Sequence, residues 1–196
     1  MNRKITSHEF CAAWLEISHA QHDILVSNLP NSTQYTNCIF NSETSVLASI
    51  SKKLDLKSYC NYYSLDAVFF REVDYVPEIP QHLTWLRKIR IAFEHENDCN
   101  SGLFQEVSHL LITNCDLRVL VTYPNDDHKW EMDRLHKVIF GTDDAKKILD
   151  ESSFLIIHGY KSKEEKINWE GFVYNLENWI QINNITQNKK GATTAS

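Results

Sequence analysis

Three acidic residues in the middle of the chain have a spacing suited to metal binding or catalysis. Glu94 and Glu96 end the alternating stretch IRIAFEHE, and Asp66 lies within the apolar run SLDAVFF. Side chains two positions apart in a β-strand project from the same face, so Glu94 and Glu96 share a face and His95 points away. A divalent cation between the two glutamates and a third oxygen donor would relieve their mutual repulsion. Asp66 is the candidate for that donor.

Two strands are predicted to position these acids. Residues 62–70 are rich in aromatic and other strand-favouring side chains, and residues 88–96 alternate between apolar and more polar side chains. The connection between them contains Pro77 and Pro80, which indicates a loop. We therefore expect two separate strands that can pair in antiparallel fashion, with Asp66 on the first and both glutamates on the second.

The rest of the chain alternates between helical and strand periods. Apolar spacing predicts six helices: over 8–27, about 43–55, from Asn100–Gly102 to Leu111, from a cap at Asp126 or Asp127 to Phe140, over 144–150 and over 169–180. Apolar runs predict two further strands, over 117–124 and 154–160. Strands that alternate with helices imply parallel crossovers. We expect an α/β fold, with one mixed β-sheet flanked by helices on both faces, in a single domain over residues 1–183. A disordered tail over 184–196 would follow.

The order of the acids and of these elements resembles the PD-(D/E)xK nuclease superfamily, also called restriction-endonuclease-like. Its signature is an acid on one strand, a second strand with Glu or Asp, one intervening residue and usually Lys, and then a helix and a further strand. Asp66 matches the first acid, Glu94 matches the second, and Glu96 occupies the position where Lys is usual. The resemblance covers Leu65 to Tyr123, including the helix GLFQEVSHLL and the strand LRVLVTY.

The resemblance implies a restriction-endonuclease-like core and the hydrolysis of DNA phosphodiesters with Mg²⁺ or Mn²⁺, with RNA as the other candidate substrate. On this interpretation Asp66 and Glu94 hold the metal. Glu96 is either a general base or an additional metal ligand. The family also often places an acid of the first helix near the metal, and Glu16 is the candidate here.

The helix that follows Glu94 carries further polar candidates. We expect one or two of Gln105, Glu106 and His109 to face the same site. Glu106 and His109 form a Glu-x-x-His pair, as do Glu16 and His19, and di-iron carboxylate bundles use this spacing. Such a bundle needs two further long helices that each supply a Glu, whereas the middle of this chain has strand character. We therefore favour the nuclease-like interpretation.

Two simpler interpretations stay open. Glu94 and Glu96 can form the solvent face of a half-covered antiparallel strand, and Asp66 can be a buried carboxylate paired with an Arg or bound by backbone amides. The missing Lys also fits a catalytically inactive protein on the same fold that binds nucleic acid or a protein partner.

Composition limits the classes of function. The chain has 196 residues, a net charge of −6 and five cysteines. The net charge argues against tight binding to phosphates in general, so a DNA groove would have to be locally basic, with Arg71, Arg87, Lys88 and Arg90 as candidates. No apolar stretch is long enough to span a membrane, and no signal-peptide pattern is present. We expect a cytoplasmic protein with reduced thiols and no membrane partner, whose Trp- and Phe-rich last helix could form a homodimer contact.

Overall fold

The computed structural model describes residues 3–80, 83–97, 103–124, 128–142, 145–150, 153–161 and 166–182. The elements in these ranges are α1 (Ser7–Ala20), α2 (His22–Asn28), α3 (Ser32–Phe40), α4 (Val46–Lys53), β1 (Lys57–Tyr62), β2 (Leu65–Phe70), a 3₁₀ helix (Glu72–Asp74), β3 (Ile89–Glu96), α5 (Leu103–Ile112), β4 (Cys115–Thr122), α6 (His128–Phe140), α7 (Ala145–Ile148), β5 (Phe154–Lys161), β6 (Ile167–Tyr174) and β7 (Trp179–Gln181). None of these helices combines the length and the apolar character needed to cross a membrane.

All seven strands belong to one mixed sheet, in which their spatial order equals their order in the sequence. β1, β2 and β3 pair in antiparallel fashion, and β3, β4 and β5 are parallel. β6 and β7 complete the sheet with antiparallel pairings. The two parallel connections run through α5 and through α6 and α7, as crossovers require. The carboxyl ends of β3, β4 and β5 therefore lie at the same edge of the sheet, and the predicted α/β class is confirmed.

Helices cover both faces of the sheet. On one face, here called the α1 face, α1 to α4 share a core with the sheet, in which the rings of Trp14 and Phe93 stack 5.9 Å apart. On the opposite face, called the α5 face, α5 to α7 form a second core that includes Val107 and Ala92. Successive residues of β3 thus alternate between the two cores. Because Ala92 faces α5, Glu94 does so too.

The first half of the chain is divided more finely than its pattern predicts. The expected helix over 8–27 is two helices, because the backbone at Gln21 (φ −102°, ψ 14°) departs from helical geometry. α3 is an additional helix whose nine residues include only two buried side chains, too few for a recognisable period. The expected strand over 62–70 is the second arm of a hairpin, in which β1 turns into β2 at Tyr63.

The predicted helix over 169–180 is wrong, because these residues form most of β6, a turn and β7. Trp169 and Val173 pack in the core on the α1 face, whereas Phe172 and Trp179 pack on the α5 face. In a strand with apolar side chains on both faces, apolar and polar residues do not alternate. The apolar residues of 169–180 therefore had a spacing that resembles one face of a helix. The homodimer contact was expected on the face of that helix, so it loses its basis, and the rings of Trp169, Phe172 and Trp179 are partly buried against the two cores.

Gly171 offers a test of the strand assignment. A Cβ at this position would overlap Sγ of Cys11, which is buried in the core on the α1 face. We therefore expect Gly171→Ala to lower the free energy of unfolding by about 1–3 kcal/mol, as measured by urea denaturation. Adding Cys11→Ala should restore most of the loss. In a helix, Gly171→Ala would instead stabilise the protein by about 0.5–1 kcal/mol, and that result would contradict β6.

The described cysteines, Cys11, Cys38, Cys60 and Cys115, are free thiols, as expected. Several predictions fall outside the described residues: the state of Cys99, the start of the helix at Asn100–Gly102, the cap at Asp126 or Asp127, and the tail over 184–196.

Candidate metal centre

β2 and β3 bring the carboxylates of Asp66 and Glu94 side by side. The antiparallel register pairs Ala67 with Phe93, so Asp66 lies directly opposite Glu94. The Asp66 N–H donates to Glu94 Oε2 at 3.0 Å, and the His95 N–H donates to Asp66 Oδ2 at 2.8 Å. Each carboxylate is therefore oriented by the backbone of the opposite strand.

Glu94 is an ionisable side chain with no exposed surface. Burial raises the pKa of Glu94 to about 9, and the nearby carboxylates of Asp66 and Glu106 add to this shift. Burial also raises the pKa of Asp66, with a further contribution from Glu106. Carboxyl groups at such short range favour a shared proton or a cation over full ionisation.

Helix α5 adds two more polar groups to this pair. Its side chains Val107 and Leu110 pack into the core on the α5 face, and Glu106 and His109 lie one helical turn apart next to Glu94. His109 Nδ1 lies 3.3 Å from Glu94 Oε1 and 3.4 Å from Glu106 Oε2. One nitrogen thus faces two carboxylate oxygens from different elements.

The three side chains are of the types and at the separations that can hold a divalent cation. The ligand atoms of Glu94, Glu106 and His109 all lie within 4.8 Å of one another. Metal–ligand bonds of about 2.0–2.2 Å require distances between ligands of about 3–3.6 Å, and both distances from His109 Nδ1 satisfy this condition. Within the described part of the chain, neither Glu94 Oε1 nor His109 Nδ1 makes a hydrogen bond, although both atoms are buried. Such atoms are suitable cation ligands, because a bound ion would compensate their desolvation.

The other predicted site residues occupy different positions. Glu96 projects from the same face as Glu94, is partly exposed and lies outside the three-ligand cluster. Gln105 is exposed. Glu16 is exposed on α1, where it accepts a hydrogen bond of 2.7 Å from Lys53 Nζ. The sheet separates α1 from Glu94, so Glu16 does not join the metal centre, contrary to the expectation.

His95 points to the α1 face, opposite the two glutamates. Its Nε2 lies 2.9 Å from Tyr123 Oη, which lies 2.7 Å from Tyr35 Oη. Burial lowers the pKa of His95 to about 3, so the ring is neutral at neutral pH. This hydrogen-bonded chain anchors β3 behind the carboxylates, and the imidazole takes no part in the cluster.

Polar side chains continue across the α5 face at the carboxyl ends of the parallel strands. The register pairs Glu96 with Thr122, Thr122 with His158, and His158 with Glu170. The buried ring of His158 places Nδ1 3.0 Å from Tyr160 Oη. Ligands of α/β proteins commonly bind outside the carboxyl ends of parallel strands. This polar row therefore extends the candidate site from β3 towards β6.

The basic residues expected to line a DNA groove have structural roles instead. Arg90 is 2% exposed and donates to both carboxylate oxygens of Asp74. Lys88 forms a 3.0 Å ion pair with an aspartate. The guanidinium groups of Arg71 and Arg87 donate to backbone carbonyls. Aspartates therefore offset the charges of Lys88 and Arg90, which weakens the expectation of a locally basic groove at these two residues.

The sequence indicated Glu106 and His109 as two of three polar candidates on the helix that follows Glu94, and also through their Glu-x-x-His spacing. The same spacing occurs in Glu16 and His19, which are both exposed on α1. What distinguishes the two pairs is the buried carboxylate of Glu94 beside α5. That neighbour depends on how a helix packs against a strand and not on any local pattern.

Comparisons with known proteins assign this chain to no family. No protein-family model, curated protein or solved structure gives a significant match. Its function therefore has to be argued from the site.

Proposed function

We propose that this chain hydrolyses phosphodiester bonds of DNA with the help of a divalent cation, Mg²⁺ or Mn²⁺. One observation carries the proposal: the buried carboxylate of Glu94 meets Asp66 across the strand pair and meets Glu106 and His109 from α5. Burying a carboxylate among other acids costs stability. Strongly perturbed ionisable groups of this kind concentrate at functional sites.

The order of the elements supports a restriction-endonuclease-like core. Asp66 lies on β2, Glu94 and Glu96 lie on its antiparallel neighbour β3, and α5 and the parallel strand β4 follow. The PD-(D/E)xK resemblance describes the same order. The resemblance supports DNA as the substrate, whereas the side chains of the site support the metal chemistry.

Each acidic side chain of the site would have a separate role in hydrolysis. A bound divalent cation would polarise the scissile phosphate and lower the pKa of a water molecule. Glu94 would bind the cation through Oε1, because its Oε2 already accepts the Asp66 N–H. Asp66 would add negative charge or a further ligand from the opposite strand. Glu96, which is partly exposed on the same face, would accept a proton from the attacking water.

A second candidate function is a catalytically inactive protein on the same fold that binds nucleic acid or a protein partner. Two features favour it: a carboxylate, Glu96, occupies the position of the usual Lys, and Arg90 and Lys88 are engaged in ion pairs. This candidate predicts no cation-dependent cleavage.

Cleavage of labelled DNA by the metal-stripped protein, with and without Mg²⁺ or Mn²⁺, tests the proposal. We expect cation-dependent cleavage that falls at least about 100-fold in Asp66→Asn, which corresponds to about 2.7 kcal/mol in activation free energy. Asparagine can still accept the hydrogen bond from the His95 N–H, so the substitution removes charge with little change to the strands.

Glu16→Gln is the matched control and should cleave at the wild-type rate, because α1 lies on the other face of the sheet. Cleavage that survives in Asp66→Asn would overturn the proposed site. No cleavage of single-stranded DNA, double-stranded DNA or RNA by the wild type would favour the inactive binding protein.

A further inference from the structure

We propose that the ligands Glu94, Glu106 and His109 select a first-row transition-metal ion and that Mg²⁺ binds this centre only weakly. The inference builds on the proposed metal centre and narrows its choice of cation. It concerns binding and not hydrolysis, so it holds whether or not the chain cleaves DNA.

The position of His109 Nδ1 is the reason for expecting a transition-metal ion. His109 Nδ1 lies 3.3 Å from Glu94 Oε1 and 3.4 Å from Glu106 Oε2. A cation that bridges these two carboxylates therefore has the imidazole nitrogen beside it. The ligand set is then one nitrogen and two oxygens, and not oxygens alone.

An imidazole ligand favours first-row transition-metal ions over Mg²⁺. Mg²⁺ prefers oxygen ligands in near-ideal octahedral geometry and gives up its water reluctantly. Zn²⁺, Fe²⁺ and Co²⁺ accept imidazole readily, and affinity among divalent first-row ions rises from Mn²⁺ towards Zn²⁺ and Cu²⁺. We expect the affinity of this centre to follow the order Mg²⁺, Mn²⁺, Co²⁺, with Mg²⁺ the weakest.

Burial supports a cation site that is closed on one side and accessible on the other. Glu94 has no exposed surface, whereas the side chains of His109 and Glu106 are 20% and 21% exposed. Glu94 Oε1 is buried and makes no hydrogen bond within the described ranges, and His109 Nδ1 lies 3.3 Å from it. Partial exposure of these two side chains would let an ion enter and would let water or a phosphate add as further ligands.

The chain contains its own control for this inference. Glu16 and His19 have the same spacing on α1 as Glu106 and His109 have on α5. Both side chains of the α1 pair are exposed, and Glu16 accepts a hydrogen bond from Lys53. A Glu-x-x-His pair without a buried carboxylate should bind metal ions only as other surface histidines do.

The test is calorimetric titration of EDTA-stripped protein with MgCl₂, MnCl₂ and CoCl₂, with the visible absorption of Co²⁺ as a second measurement. For the wild type we expect one Co²⁺ site at least about tenfold tighter than Mg²⁺. His109→Gln should weaken Co²⁺ at least about tenfold and remove the change in the Co²⁺ spectrum. Glu106→Gln should also weaken Co²⁺ binding, and His19→Gln should match the wild type. Circular dichroism in EDTA establishes that each variant is folded.

Equal affinity for Mg²⁺ and Co²⁺, or unchanged Co²⁺ binding in His109→Gln, would overturn the inference. Tight Co²⁺ binding without DNA cleavage would leave the inference standing and contradict hydrolysis. Cleavage that depends on Asp66 but not on His109 would leave hydrolysis standing and contradict the ligand set proposed here.

Discussion

Glu94→Gln is expected to raise the thermal stability of the metal-free protein, and to do so increasingly as the pH rises from about 5 to about 8. Folding requires the buried Glu94 carboxyl to take up a proton at any pH between its ordinary pKa of 4.5 and its raised pKa of about 9. Glutamine removes that requirement. In EDTA, the advantage of the variant should grow by up to about 1.4 kcal/mol per pH unit, or of the order of 10 °C in Tm across that range.

The direction of this pH dependence follows from the number of protons that the folded and the unfolded protein bind. Between the two pKa values the folded wild type holds a proton on Glu94 that the unfolded chain has released, so its stability falls as the pH rises. Below the ordinary pKa both states are protonated, and this contribution to stability is fully present. Thermal unfolding of wild type and variant, followed from pH 4 to pH 9, measures the difference directly.

A divalent cation should narrow the stability difference between the two proteins. At about 100 times its dissociation constant, a cation adds about 2.7 kcal/mol to the stability of the wild type. Glu94→Gln should gain much less, because it has lost the buried anionic ligand. Glu16→Gln, exposed on α1, should behave like the wild type in both conditions. A difference between Glu94→Gln and wild type that does not vary with pH would contradict the account of Glu94.

Arg90→Met is expected to lower the free energy of unfolding by about 3–5 kcal/mol, because it leaves a buried carboxylate without its charge partner. Arg90 donates to Asp74 at 2.7 and 2.6 Å, and both residues are almost completely buried. Burial alone would raise the pKa of Asp74, but the hydrogen bonds from Arg90 and from the Arg71 N–H, together with the charges of Arg90 and Lys88, hold this pKa below its ordinary value. Urea denaturation at neutral pH measures the loss.

Arg87→Met is the matched control for Arg90→Met. Arg87 is exposed and donates to the Val73 carbonyl, so its replacement should change stability by no more than about 0.5 kcal/mol. Arg90 lies four residues from Glu94, or about 13 Å along the strand, so folded Arg90→Met should keep its cation affinity. Equal losses in the two variants would show that the buried ion pair contributes little to stability.

The pattern of β3 was sufficient to predict a strand and the residues that share each of its faces, whereas the pattern of β6 did not predict a strand. In β3, apolar Phe93 and acidic Glu94 belong to opposite faces, as the alternation predicts. In β6, Val173 and Phe172 are both packed in cores, one on each face. Without polar residues on one face, local spacing cannot distinguish a strand from a helix.

The candidate site was likewise predictable only in part. Asp66 and Glu94 could be identified because strand periodicity and an apolar context both single them out. Glu106 and His109 depend on the packing of α5 against β3, a long-range contact that residue spacing does not encode. The resemblance implied that Glu16 lies near the metal, but the sequence does not specify which face of the sheet α1 covers, and α1 lies on the face opposite Glu94.

Anomalous diffraction from crystals of this protein soaked in Mn²⁺ would test the metal centre most directly. We predict an anomalous peak within about 2.0–2.3 Å of Glu94 Oε1 and His109 Nδ1, and its loss in Glu94→Gln. No peak beside Glu94, at a Mn²⁺ concentration that stabilises the protein in solution, would contradict the account.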